Sequence, residues 1–321
     1  MRILGFPMGH AKRGEKMDVS IAWWNTGMSP PTTKKSVKLN KKTAEGFLTV
    51  IKHMLVDGDI DILGLCEVDE TDIQLVGVFL QQLGVGNFEV CSLYNSSRNR
   101  INDFCIIINR EKIEFLDHEY VARVDEVRTY YKAGVKVRLL VGGDSLFNVY
   151  LSHWQSRMSM PAKAHRGQLG GTLRSSINSV FERDGEKSHV ILMGDFNDDP
   201  YEDSMTHHLK STRDKSFMLE NKRVLYNPFW REMGALIPHV YDQEQLWNYP
   251  SGTCYFKQKK ELTYWKTFDQ ILFSSSFFGE DKWHFCESST KIYSLLEFGC
   301  YFDDWSHVSD HLPISTKVMR V

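Results

Sequence analysis

Val190-Ile191-Leu192-Met193-Gly194-Asp195-Phe196-Asn197 decides the reading of this chain. Four apolar residues in a row, with no polar alternation, predict a strand buried on both faces. Gly194 ends the run, and two short polar side chains, Asp195 and Asn197, follow it. In the bland reading they cap the helix expected near Tyr201, since Asp and Asn are ordinary cap residues. In the functional reading they are reactive groups on a strand end, where layered α/β proteins place their clefts.

The same construction recurs along the chain. Val19 to Trp24 reads as a strand that delivers Asn25, and Ile60 to Leu65 as one that delivers Glu67. Phe147 to Ser152 delivers His153, Asp269 opens the run Asp269 to Ser274, and Ser309-Asp310-His311 precedes a final strand, Leu312 to Val318. A lone buried Glu67 is costly without a partner, and a cation supplies one. The oxygen donors favour a hard ion, Mg2+ with Mn2+ also accepted. Such an ion stabilises charge on phosphate oxygens. Asp195 is then placed to orient an attacking water. His311, its tautomer fixed by Asp269, and His153 donate to the phosphoryl oxygens. Asp310 either joins the metal ligands or orients His311.

These motifs resemble the endonuclease/exonuclease/phosphatase superfamily, the deoxyribonuclease I and exonuclease III fold. Trp24-Asn25 resembles its first-strand asparagine, and Glu67 in Leu65-Cys66-Glu67-Val68 its metal-binding glutamate. Ser152-His153 resembles the histidine motif of its deoxyribonuclease-like and lipid-phosphodiesterase branches. Gly194-Asp195-Phe196-Asn197 matches GDFN, Asp269 the histidine-orienting aspartate, and Ser309-Asp310-His311 the terminal SDH. The resemblance implies an α+β fold: a four-layer α/β sandwich of two mostly antiparallel sheets, packed face to face and flanked by helices. It assigns His153, Asp195, Asn197, Asp269 and His311 to catalysis, and Asn25, Glu67 and Asp310 to the metal. His153-Trp154 stands where abasic-site endonucleases usually carry tyrosine, and Thr267-Phe268-Asp269-Gln270 replaces the Trp-Cys-Asp-Arg run of inositol polyphosphate phosphatases.

A chain of 321 residues with 42% hydrophobic content can fill one large core without staples. We expect a tail over 1–17 and one catalytic domain over 18–321, with 210–260 as a long surface excursion rich in charge, Trp, Tyr and Pro. Helical spacing appears from Ala44 to Leu55 and from Ile73 to Leu83. A further helix over Gln168 to Glu182 has Gly170-Gly171 weakening its first turns. The middle of the chain reads as strands Phe88 to Leu93, Phe104 to Ile108, Lys112 to Phe115 and Val135 to Val141.

The net charge of −2 makes no global case for a polyanion partner, so any attraction to phosphate is local. Arg98, Arg166 and Trp265 are the candidate substrate contacts, and the basic stretch Lys34 to Lys42 could track a phosphate backbone. The six cysteines contain no C-x-x-C pair, which fits buried thiols and a reducing, cytoplasmic compartment. No run approaches the roughly 20 apolar residues of a membrane helix. The expectation is therefore a metal-dependent phosphodiesterase, a nuclease acting on DNA, with no membrane partner. The alternative is a phosphoesterase of a nucleotide, inositol or lipid headgroup.

Overall fold

The structure is a computed structural model that describes residues 16–31, 41–97, 100–157, 162–234, 250–255, 262–279, 281–299 and 308–321. Among these, two large sheets carry the fold. The six-stranded sheet runs in the order Trp283–Ile292, Ile314–Arg320, Met17–Asn25, Ile62–Cys66, Phe104–Asn109, Phe88–Ser92. The seven-stranded sheet runs Ser211–Thr212, Leu225–Tyr226, Asp269–Phe273, His189–Asp195, Ser145–His153, Tyr130–Val141, Ile113–Val124. Both are mostly antiparallel. Met17–Asn25 pairs in parallel with Ile62–Cys66, and Ser145–His153 with His189–Asp195.

The opening strand explains the layers. Side chains alternate across a strand, so Ile191 and Met193 enter the core between the sheets. Val190 and Leu192 enter a second core, with Leu169, Leu173, Ile177 and Phe181 of helix Ala162–Asp184. On the other side, Phe47, Val50 and Ile51 of helix Lys41–Lys52 and Val76 and Leu80 of helix Glu70–Gln82 join the large core. Asp69 caps that second helix by accepting from the Thr71 and Asp72 amides. The result is the helix-flanked, two-sheet α/β sandwich that the sequence implied. Among the described residues, no helix is long and apolar enough to cross a membrane.

Register brings the reactive strand ends to one rim. Asp195 lies opposite His153 on one side and Asp269 on the other. Asn25 lies opposite Cys66, one residue before Glu67. Gly194 has a packing reason: a Cβ there would sit 2.2 Å from the Ser152 carbonyl oxygen, so only glycine lets the two parallel strands keep this spacing.

Several elements differ from the sequence reading. Helix Ala162–Asp184 starts earlier than Gln168 and runs straight through Gly170. A Cβ at Gly170 would meet the Ser204 carbonyl oxygen at 2.6 Å, so this glycine serves close packing and does not mark a weak end. Strands Ile113–Val124 and Tyr130–Val141 form a hairpin longer than its apolar stretches: the first is exposed over much of its length, while the second is mostly buried. Trp283–Ile292 is an edge strand that the sequence reading missed, its polar run Glu287-Ser288-Ser289-Thr290-Lys291 giving no apolar signal. Met17 pairs with Arg320 and so belongs to the first strand and not to a tail. The first part of 210–260 is no free excursion either. Ser211–Thr212 and Leu225–Tyr226 extend the seven-stranded sheet, and helix Lys215–Glu220 lies between them. Residues 235–249 and 256–261 lie outside the described residues, as do 1–15 and most of the basic stretch Lys34 to Lys42.

Candidate active site

Asp195 is the centre of the rim and is 1% exposed. Its Oδ1 accepts from the Asn197 amide at 2.9 Å, which fixes the carboxylate plane. Its Oδ2 accepts from Asn25 Nδ2 at 3.0 Å. The same Nδ2 lies 3.3 Å from Glu67 Oε1, so one amide ties the two sheets' carboxylates together. Two imidazoles face Asp195 Oδ2, His153 Nε2 at 4.0 Å and His311 Nε2 at 3.8 Å. His153 Nε2 also stands 3.5 Å from Glu67 Oε1.

Each imidazole is aimed by a buried aspartate behind it. Asp269 Oδ2 is 2.7 Å from His311 Nδ1, while its Oδ1 accepts from Trp23 Nε1 at 2.9 Å. The Asp269 amide donates to Thr253 Oγ1 at 3.0 Å. Asp103 Oδ2 is 2.6 Å from His153 Nδ1, and its Oδ1 accepts from Lys132 Nζ at 2.8 Å. With Nδ1 protonated toward its aspartate, each ring presents Nε2 to the cleft. Asn197 Nδ2 donates to the Trp154 carbonyl at 3.0 Å, and Arg157 Nε donates to the Asn197 carbonyl at 2.9 Å. Glu67 (φ 55) and Asn197 (φ 50) both adopt left-handed backbone, a strain that clusters at functional positions.

The electrostatics follow from packing carboxylates and imidazoles together away from water. Burial pushes the Glu67 carboxyl above its ordinary range, although His153, His311 and Asn25 partly offset it. Burial works against a charged His153, yet Asp103 overcomes it and raises the imidazole to about 9. Burial also opposes a charged His311, and the surrounding anionic groups, Asp269 and Asp195 among them, push it well up. Asp103 is buried too, but His153 and Lys132 hold it well below the usual carboxylate range.

Glu67 and Asn25 are the residues that could hold a hard divalent ion. Such ions keep several waters and take one or two carboxylates, and the half-buried Glu67 carboxylate with the Asn25 amide beside it offers oxygens of that kind. Asp310 is exposed, and its carboxylate lies within 4.8 Å of ligand atoms of Cys254 and His311. Asn25, Glu67, His153, Asp195, Asn197, Asp269 and His311 thus share one rim.

The expected substrate contacts do not gather so neatly. Arg166 is 4% exposed on the long helix, its Nε 2.8 Å from Asp198 Oδ1, so its charge is spent inside the protein. Arg98 lies outside the described residues. Trp265 is half-buried on a two-stranded ribbon with Cys254–Tyr255, its ring 5.2 Å from that of Tyr255. This ribbon is bonded to the His311 loop through Tyr255 N to the Asp310 carbonyl at 3.2 Å. Sequence reasoning missed Asp103 and Lys132, and also Tyr130. Glu67 and His153 open into a cleft of about 470 Å³ that Arg100, Tyr130, Lys132 and Pro30-Pro31 line. There the Arg100 guanidinium lies 4.1 Å from the centre of the Tyr130 ring.

Comparison with known proteins agrees with this architecture. An Endonuclease/Exonuclease/phosphatase family model matches residues 25–297. A family protein from Bacteroides thetaiotaomicron superposes with TM-score 0.58 at 14% identity, covering 96% of both chains. The human Nocturnin catalytic domain with bound sulfate gives TM-score 0.54 at 14% identity, covering 95% of this chain and 96% of its own. TDP2 of D. rerio, complexed with a single-strand DNA product, gives TM-score 0.53 at 15% identity, covering 94% of this chain and 98% of its own. A search of curated protein sequences finds no match. The chain belongs to the Endonuclease/Exonuclease/phosphatase family, whose members are metal-dependent phosphoesterases.

Proposed function

We propose that the protein is a Mg2+-dependent phosphodiesterase that hydrolyses nucleic acid, DNA in the first instance. One observation carries the reading: a buried carboxylate, Asp195, stands between two aspartate-backed imidazoles and is tied through Asn25 to Glu67. Glu67 and Asn25 would hold the ion, which when bound withdraws charge from the phosphate oxygens.

The chain's own groups do the rest. Asp195 orients the attacking water and takes up its proton, with its plane held by the Asn197 amide. His153 and His311 donate from Nε2 to the phosphoryl oxygens as charge builds there, and Asp103 and Asp269 prevent either ring from turning away. Burial of Asp195, Asp103 and Asp269 keeps water from screening these interactions.

The cleft beside Glu67 and His153 supports a substrate bearing nucleobases. The Arg100–Tyr130 stack offers a flat face for a base and a cation for a neighbouring phosphate. TDP2 of D. rerio, which shares the fold, was solved with a single-strand DNA product. The same cleft could seat the base of a small nucleotide, and this is the second reading.

A panel decides between them: supercoiled plasmid, linear duplex, single-stranded DNA, RNA and small phosphoesters, each with Mg2+, Mn2+ or Ca2+. The proposal expects Mg2+-dependent cleavage of DNA faster than release of phosphate from small esters. Hydrolysis of small esters alone would replace nuclease with nucleotide phosphoesterase. No hydrolysis of any ester by the folded chain would reject both.

A further inference from the structure

At the edge of the catalytic rim, the ribbon Cys254–Tyr255 meets the His311 loop through an isolated antiparallel bridge that pairs Cys254 with His311. Two backbone hydrogen bonds hold it, Tyr255 N to the Asp310 carbonyl at 3.2 Å and Leu312 N to the Thr253 carbonyl at 2.7 Å. Residues paired in this way carry their side chains on one face with Cβ atoms about 4.5–5.5 Å apart. Here one ligand atom each from Cys254, His311 and Asp310 lies within 4.8 Å of the others. Cys254 is a free, buried thiol, and Asp310 is exposed, which leaves an ion a way in.

The donors differ in kind from those around Glu67. Sulfur and imidazole select zinc and similar ions, whereas carboxylate, amide and water suit Mg2+. His311 is already prepared as a ligand. Its Nδ1 is bonded to Asp269, so Nε2 is the free donor, and a carboxylate behind a ligating histidine is the usual support of a zinc site. A tetrahedral ion at about 2.0–2.3 Å from three protein ligands leaves one position for water.

We propose that Cys254, His311 and Asp310 form a second metal site, selective for a thiophilic divalent ion such as Zn2+. Filling it silences hydrolysis by occupying the imidazole that the substrate needs. On binding, Cys254 gives its thiol proton to solvent and becomes the thiolate ligand. Only the inhibition rests on the catalytic reading of His311; the site itself does not.

The probe is Co2+, titrated into the purified full chain and read as a thiolate-to-cobalt charge-transfer band. Wild type is expected to develop the band to one equivalent, and Cys254→Ser and Cys254→Ala to lack it. Asp310→Asn, on an exposed position, is expected to weaken cobalt binding without disturbing the core. In the Mg2+-driven cleavage assay, Cys254→Ser should keep its rate. Its Zn2+ inhibition curve should move up by roughly 10–100-fold or more, since even residues behind a metal ligand are worth that much. A missing band in wild type, or the same band in Cys254→Ser, overturns the site. A band without zinc inhibition overturns the silencing. If the chain hydrolyses nothing, the cobalt band still decides the site, and the catalytic proposal falls alone.

Discussion

His153 and His311 are held by the same device on opposite flanks of one oxygen. Each presents Nε2 to Asp195 Oδ2, at 4.0 and 3.8 Å, and each has Nδ1 anchored on a buried aspartate, at 2.6 and 2.7 Å. The two sets come from different parts of the chain, yet they end in one geometry. A phosphoryl group seated above Asp195 would find a donor on either side.

Asp103 is the less expected of the two anchors. Asp103→Asn should leave the fold intact and lower kcat by about 10³–10⁴-fold, the size of effect when an imidazole loses its orienting carboxylate. KM should change little, because the ring acts on the developing charge and not on ground-state binding. Lys132→Met should give a smaller loss, and Lys132→Arg should restore most of it. Steady-state kinetics on one DNA substrate checks all three. Equal losses in KM and kcat would point to a collapsed cleft instead.

The raised His153 imidazole makes a signed statement about stability. Its folded value of about 9 exceeds the ordinary 6.5, so its contribution is complete below 6.5 and is lost as pH rises through about 9. The shift is on the order of 3 kcal/mol in the metal-free chain. Urea unfolding in EDTA should therefore show stability falling between pH 6.5 and 9. His153→Asn should flatten that slope. A slope unchanged in the variant would remove His153 as its source.

Glu67 predicts opposite effects with and without metal. Burial raises its carboxyl, so in the metal-free chain the charge is a cost. Glu67→Gln should melt at or above wild type in EDTA. Mg2+ should raise the wild-type melting temperature, by about 2.7 kcal/mol of stabilisation at a hundred times Kd, and leave the variant where it was. A variant that still responds to Mg2+ would place the ion elsewhere.

Arg100 and Tyr130 test the substrate. If bases stack there, Tyr130→Ala should raise KM for DNA by the equivalent of about 1–3 kcal/mol. The rate on a small phosphoester should stay unchanged. An equal loss on both substrates would mean that the stack only props the cleft open.

Much of this site was legible in the sequence for a definite reason. Asn25, Glu67, Asp195 and Asp269 adjoin strands that are apolar on both faces, and such strands announce themselves as continuous runs. A polar residue at the end of one is conspicuous. His311 was marked instead by the motif Ser309-Asp310-His311. Asp103 and Lys132 gave no such signal. Asp103 follows an Asn-rich turn, where an aspartate is unremarkable, and Lys132 lies on a strand whose alternating pattern reads as a solvated face. Their meeting is a tertiary event between distant segments. Arg166 misled in the other direction: a basic residue near a loop looks available, and only the packing of the long helix shows its charge turned onto Asp198. The edge strand Trp283–Ile292 is polar along much of its length, and edge pairing needs no apolar run.

In the proposed reaction Asp195 works with its flanking imidazoles on a phosphate ester in the presence of a divalent ion. Single-turnover cleavage of DNA by wild type, Asp195→Asn and His311→Ala, with Mg2+ and with EDTA, is the decisive measurement. Both variants should fold as wild type does by circular dichroism and lose several orders of magnitude in rate, and EDTA should abolish the wild-type reaction. Metal-dependent cleavage at an undiminished rate by either purified variant would contradict the proposed reaction.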